Sequence, residues 1–189
     1  MSYRIIVADD EPISRMDITE ILEDAGYQVL GEASDGFDAV EMCRKHNPDL
    51  ILMDIKMPLL DGLKAARMIR QEKLAKAVLL LTAYSGKQFV DQAKEIGVAG
   101  YLVKPVSEAS LLPMIEIAVS QAGEITRMEG DIARAQEQLE SRKLIEKAKG
   151  ILMKQDGISE NEAFKRIRKL SMDKQCPMKD IAKIIILNN

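Results

Sequence analysis

Five residues in this sequence have side chains suited to phosphoryl transfer, and each sits at the end of a short apolar run. Asp9 and Asp10 follow Arg4-Ile5-Ile6-Val7-Ala8, and Asp54 closes Leu50-Ile51-Leu52-Met53. Thr82 closes Ala77-Val78-Leu79-Leu80-Leu81, and Lys104 follows Gly100-Tyr101-Leu102-Val103. Carboxylates crowded together repel one another unless a cation sits among them. Mg²⁺, a hard dication bound by one or two carboxylates plus phosphate oxygens, resolves that repulsion. The same ion shields an acidic acceptor from an approaching anionic donor. A hydroxyl at Thr82 and an ammonium at Lys104 can hold the remaining phosphoryl oxygens. The pattern therefore assigns Asp54 as a phosphoryl acceptor. Taken alone, Asp54 also reads as an acid capping the turn before Pro58, and Thr82 and Lys104 as ordinary strand-end and surface residues.

The elements that must position these residues follow from periodicity. Runs of four or five apolar residues suit strands buried on both faces of a parallel sheet, here near 4–8, 28–33, 50–54, 77–82 and 100–104. Between them apolar residues recur at helical spacing, as with Ile13, Met16, Ile18, Ile21 and Leu22 after Pro12. Helices follow at Ser34-Asp35-Gly36, at Asp61-Gly62, over 87–96 and from Ser107. Strands alternating with helices predict an α/β fold, a doubly wound five-stranded parallel sheet of flavodoxin-like order 2-1-3-4-5. In that order the carboxyl ends of the first and third strands flank the switch point, bringing Asp9, Asp10 and Asp54 together.

Asp9-Asp10, Asp54, Thr82-Ala83 and Lys104-Pro105 resemble the signature of response-regulator receiver domains over roughly residues 1–120. The resemblance implies that Asp54 accepts a phosphoryl group from a sensor histidine kinase. It implies a Mg²⁺ site of Asp9, Asp10, Asp54 and the backbone carbonyl of Lys56, phosphoryl contacts from Thr82 and Lys104, and a cis Lys104-Pro105 bond. Tyr101 is implied as the switch aromatic, against the plainer reading of a half-buried strand tyrosine.

Beyond Ser107 the pattern changes. Leu111, Met114, Ala118, Gln121, Ile125, Met128, Ile132, Ala135 and Leu139 follow alternating steps of three and four, a heptad seam. Pro113, Gly123 and Gly130 weaken the helix, each glycine by about 1 kcal/mol against alanine. The seam predicts a coiled-coil linker over 121–141 that brings two chains together, with folding back on its own chain as the alternative.

Residues 142–189 read as a small bundle of three short helices. The chain as a whole carries a net charge of -3, but residues 1–120 carry -6 and residues 141–189 carry +6. A basic end attached to an acidic body points to a polyanion as its partner. Ser159 and Glu162 form a capping box opening the second helix, and Pro177 opens the third. Ala163, Phe164, Ile167 and Leu170 are assigned inward, as are Met178, Ile181, Ala182, Ile184 and Ile185. The third helix is too apolar to read a DNA major groove. The tail's one aromatic, Phe164, is assigned to the core, which argues against a base-stacking surface. The candidate contacts to phosphates, and to RNA under the resemblance given next, are Arg142, Lys143, Lys147, Lys149, Lys154, Arg166 and Lys169, although a solvated basic face explains charge equally well.

Residues 142–153, Glu162-Ala163-Phe164 and Ile181-Ala182 resemble the ANTAR domain of transcription antiterminators, and the whole chain is similar to regulators of ethanolamine utilisation. That resemblance implies binding to paired hairpins in nascent leader transcripts, with dimerisation as the switch. A DNA-binding response regulator is the first alternative. A phosphatase built on the acidic site is the second, although the resemblance implies a phosphoacceptor rather than an enzyme. Composition, 47% hydrophobic and 30% charged, excludes wholesale disorder, and no apolar run approaches a membrane span. Isolated Cys43 and Cys176, with no signal-peptide layout, lead to the expectation of a cytoplasmic protein with no membrane partner.

Overall fold

The computed structural model describes residues 2–83 and 87–188, leaving aside the side chains of residues 87–90. The chain folds as two units, Met1–Thr126 and Arg127–Asn189.

The first unit is built on strands β1 (Arg4–Ala8), β2 (Gln28–Ala33), β3 (Leu50–Asp54), β4 (Ala77–Thr82) and β5 (Gly100–Val103). All pairings are parallel and the order is β2-β1-β3-β4-β5, as expected. The continuous apolar runs are explained by burial on both faces. Ile6, Ala8, Ile51, Met53, Val78 and Leu80 point to one side, where helices α2 (Gly36–His46), α3 (Gly62–Gln71) and α4 (Lys87–Ile96) cover them. Ile5, Val7, Leu50, Leu52, Leu79 and Leu81 point to the other, against α1 (Pro12–Asp24) and the start of α5 (Glu108–Asp156). On α1, Ile18 and Leu22 are buried, whereas Ile13 and Met16 face solvent.

Helix α5 runs unbroken for 49 residues through Gly123, Gly130 and the expected junction near 141. The first tail helix is therefore the end of α5, because Glu140-Ser141-Arg142-Lys143 contains neither Gly nor Pro to stop propagation. The seam also divides. Leu111 and Ala118 are buried against the sheet, whereas Ile125, Met128, Ile132 and Leu139 are between 53% and 58% exposed.

In the second unit the end of α5 packs with α6 (Glu160–Lys174) and α7 (Met178–Leu187), so a three-helix bundle forms as expected. Its buried centre is small: Ala148, Leu152, Ala163, Ile167, Ile181 and Ala182. The capping box is present, with Ser159 Oγ accepting from Glu162 N and Glu162 accepting from Ser159 N. Two inward assignments are corrected. Phe164 is 40% exposed and Ile184 is 53% exposed. Small residues on the inward faces bring the helices close, and a 15-residue α6 needs only Ala163, Ile167 and Leu170 to fill its side of the core.

Candidate functional site

The register of the sheet assembles the acidic site. Ala8 lies opposite Met53, which puts Asp9 beside Asp54. Asp54 lies opposite Leu81, so Thr82 follows one step on, and Thr82 lies opposite Val103, with Lys104 next. Residues far apart in sequence thus meet because parallel strands end on one edge. One carboxylate oxygen each from Asp9, Asp10 and Asp54 lies within 4.8 Å of the others. Asp9 is fully buried, Asp54 nearly so, and Asp10 faces solvent.

Lys104 supplies the counter-charge. Its Nζ donates to Asp9 Oδ2 and to Asp54 Oδ2, both at 2.6 Å. Burial works against the ammonium, but the hydrogen bonds and charges of Asp54 and Asp9 outweigh it and hold its pKa above the usual lysine range. The other carboxylate oxygen of Asp54 accepts from Lys56 N at 3.2 Å. Thr82 is buried at the end of β4, and its carbonyl accepts from Lys104 N at 2.8 Å. Tyr101 on β5 is 39% exposed, with its neighbour Leu102 buried. The Lys104-Pro105 peptide is cis, as the resemblance implies.

Several supporting residues carry no obvious signal in the sequence. Asp9 is held by Ser14 Oγ, 2.8 Å from Oδ2, and by Glu11 N, 3.0 Å from Oδ1. Arg15 donates to the Asp9 carbonyl at 2.6 Å and pairs with Glu32 at 2.9 Å. A Cβ at Gly62 would run into the carbonyl oxygen of Asp54, and Gly62 N donates to Ile55 O at 2.8 Å. The sequence marks Gly62 only as a helix start; only the folded loop shows that its missing side chain makes room for the end of the Asp54 strand. An open cavity of about 1110 Å³ lies alongside, with Asp10, Lys56, Met57 and Arg67 among its lining.

The basic candidates fare unevenly. Arg142, Lys143, Lys147, Lys154 and Lys169 are exposed on helices of the second unit. Arg166 is exposed too, and pairs with Asp156. Lys149 is a correction: it is buried, its Nζ 2.7 Å from Glu146 Oε1 and 2.6 Å from Glu160 Oε1. Those two carboxylates hold its ammonium above the usual range. A lysine enclosed between two acids ties α5 to the start of α6 and offers no cation to a phosphate.

Comparison with known proteins agrees with both halves of this geometry. Residues 5–116 match the response regulator receiver domain and residues 133–186 match the ANTAR domain. The chain is a response regulator of the receiver-plus-ANTAR type. It is 45% identical over 183 residues to the transcriptional regulatory protein PdtaR of Mycobacterium tuberculosis, covering 97% of this chain and 89% of that one. It is 36% identical to the chemotaxis protein CheY of Bacillus subtilis, over 61% of this chain and 96% of that protein. Among solved structures, the receiver domain of a sensor histidine kinase from Pseudomonas aeruginosa superposes with a TM-score of 0.57 and 28% identity. That match covers 64% of this chain and 99% of the other, which holds a magnesium ion in its active-site cleft. Membership implies a histidine kinase as the phosphoryl source and RNA as the ligand of the ANTAR domain. No helix among the described residues is long and apolar enough to cross a membrane.

Proposed function

We propose that this chain is a phosphorylation-gated RNA-binding regulator, acting in the cytoplasm, that promotes transcription antitermination. In the phosphoryl step a carboxylate oxygen of Asp54 attacks the phosphorus of a phosphohistidine on the kinase. A P–O bond forms as the P–N bond breaks, and the leaving imidazole nitrogen keeps the electron pair. The three clustered carboxylates fit Mg²⁺, with Asp9, Asp10, Asp54 and the Lys56 carbonyl as its ligands. When bound, the ion neutralises charge on the phosphoryl oxygens. Lys104, already against Asp54, turns to a phosphoryl oxygen, and the Thr82 hydroxyl donates to another. Tyr101, exposed here, packs inward as Thr82 moves. The chain is then a phosphoacceptor with no sustained turnover of its own.

The output is pairing of two chains. Ile125, Met128, Ile132 and Leu139 form an apolar stripe suited to a coiled-coil seam. Phosphorylation shifts the receiver between existing states, and the dimer brings two basic bundles to two hairpins in one leader transcript. The observation that carries this reading is the 45% likeness, over nearly the whole chain, to a transcriptional regulatory protein. The test is binding of phosphorylated wild type and Asp54→Ala to a two-hairpin leader RNA and to the matching DNA duplex. The wild type is expected to bind the RNA more tightly. Equal binding by Asp54→Ala would sink the gating, and a preference for duplex would make the chain a DNA-binding regulator.

A further inference from the structure

The cavity beside the acid site has a charged wall that phosphoryl transfer does not use. Asp10 and Lys56 line the cavity next to Asp54. Arg67, Gln71, Glu95 and Ile96 line it too, and they are shared with an adjoining hollow of about 250 Å³, where Arg70 joins them. The floor of the cavity is apolar, built by Ile55, Met57, Leu60, Leu63 and Met68. These five belong to the core on one face of the sheet or pack against it. Ile55 and Met57 are only 6% and 9% exposed, so the floor is recessed. A slim chain or ring reaches such a floor, whereas a broad helix face does not.

The cations of the shared wall are unmatched. Lys64, the preceding basic residue of α3, is held by Asp61 at 2.8 Å. Arg67 is exposed and has no ion-pair or hydrogen-bond partner among the described residues. Arg70 reaches the end of α4, where a Cβ at Gly97 would lie 4.0 Å from its Nη2, and its Nε is buried without a hydrogen-bond partner. Its guanidinium thus arrives at the hollow short of an acceptor. Two guanidiniums beside an apolar floor match a carboxylate on an apolar body, because the planar fork of arginine suits two carboxylate oxygens. Glu95 lines both hollows and limits the charge. A second negative charge on the ligand would be repelled by it, so a nucleotide or a phosphate dianion is disfavoured. Met57 and Met68 give the floor side chains that adapt to occupants of different shape.

We infer that this groove along α3 and the end of α4 binds a small amphipathic monocarboxylate. Its carboxylate sits on Arg67 and Arg70, and its alkyl or aromatic body lies over Met57, Leu63 and Met68. The site gives the receiver a place for a diffusible ligand beside the phosphoacceptor, and it stands or falls independently of RNA binding.

The test titrates the full chain, labelled with nitrogen-15, with sodium decanoate and follows the backbone amides by NMR. Saturable shifts are expected in the turn after β3, along α3 and at the end of α4. Arg67→Ala should weaken decanoate about 3- to 10-fold, and decanol, which lacks the charge, should bind the wild type more weakly by a similar factor. Decyl phosphate should bind the wild type more weakly than decanoate, and Glu95→Gln should narrow that gap. Equal affinity of wild type and Arg67→Ala, or of decanoate and decanol, would overturn the site. So would shifts that fail to saturate or that gather on the exposed apolar residues of α5, because the probe would then be acting as a detergent. Shifts of the same amides on raising protein concentration alone, removed by Arg67→Ala, would assign the groove to a second copy of the chain instead. Should Arg67→Ala fail to fold, the comparison of decanoate with decanol on the wild type decides the same point.

Discussion

The two units place their charged chemistry in opposite ways. In residues 1–126 the carboxylates of Asp9 and Asp54 are buried at a sheet edge, paired to one lysine and surrounded by two cores. In residues 127–189 the buried centre is six side chains, and most of the candidate binding residues ring it on exposed helix faces. Burial makes the first site costly to disturb and chemically specific, because neighbouring charges there interact through a low effective dielectric. Exposure makes the second site adaptable and individually weak, since each surface cation acts through screened attraction. Lys149 is the exception that tests the rule: a basic residue of the tail that behaves like one of the receiver's buried charges.

The largest expected effect lies in the first unit. Asp54→Asn should abolish phosphoryl incorporation from acetyl phosphate, read on a phosphoprotein gel, whereas Lys169→Ala should leave it at wild-type level. Any labelling of Asp54→Asn would move the acceptor elsewhere. Next come two glycines that separate the units by packing. Gly62→Ala drives a Cβ into the Asp54 carbonyl and should cost about 3 kcal/mol or more in urea unfolding. Gly150→Ala meets nothing within 4 Å and should gain about 0.5–1 kcal/mol.

Lys104→Met leaves two buried carboxylates facing each other and should cost about 2–4 kcal/mol at neutral pH, somewhat reduced by partial exposure. The same bond has a pH signature. The folded-state pKa of Lys104 is raised above 10.5, so its stabilisation is complete below pH 10.5 and is lost as pH climbs through the folded value. A pH titration of unfolding should therefore show the Lys104 contribution disappearing as pH climbs above 10.5; loss between neutral pH and pH 9 would contradict the pairing. The smallest effect is on RNA. Lys169→Ala should lower the slope of log affinity against log salt by about 1. Lys149→Met should leave the slope unchanged and lower the melting temperature of the bundle, which is the outcome that separates a strut from a ligand.

Much of the receiver was legible because parallel strands announce themselves as apolar runs and their last residues share an edge. Asp9, Asp54, Thr82 and Lys104 needed only the strand order to be brought together. The supports were not legible: Ser14, Arg15 and Gly62 act through distances that no local pattern encodes. In the tail, periodicity gave the capping box and most of the inward faces, but not the continuity of α5 into the bundle nor the exposure of two side chains. Phe164 and Ile184 lie at the borders of amphipathic faces, where one helical step changes inside to outside.

By itself the sequence determined the parallel sheet, its order and the strand-end positions of Asp54 and its charged neighbours, because burial on both faces leaves a strand little freedom in composition. It also determined the heptad spacing of α5. Tertiary structure alone decided that the first part of that seam serves the receiver core while the rest stays uncovered. It decided too that Lys149 closes an internal ion pair and that Phe164 stands at the surface. The reason is physical: charge and apolarity are properties of a residue, but whether a side chain is paired, buried or presented depends on which other segments reach it.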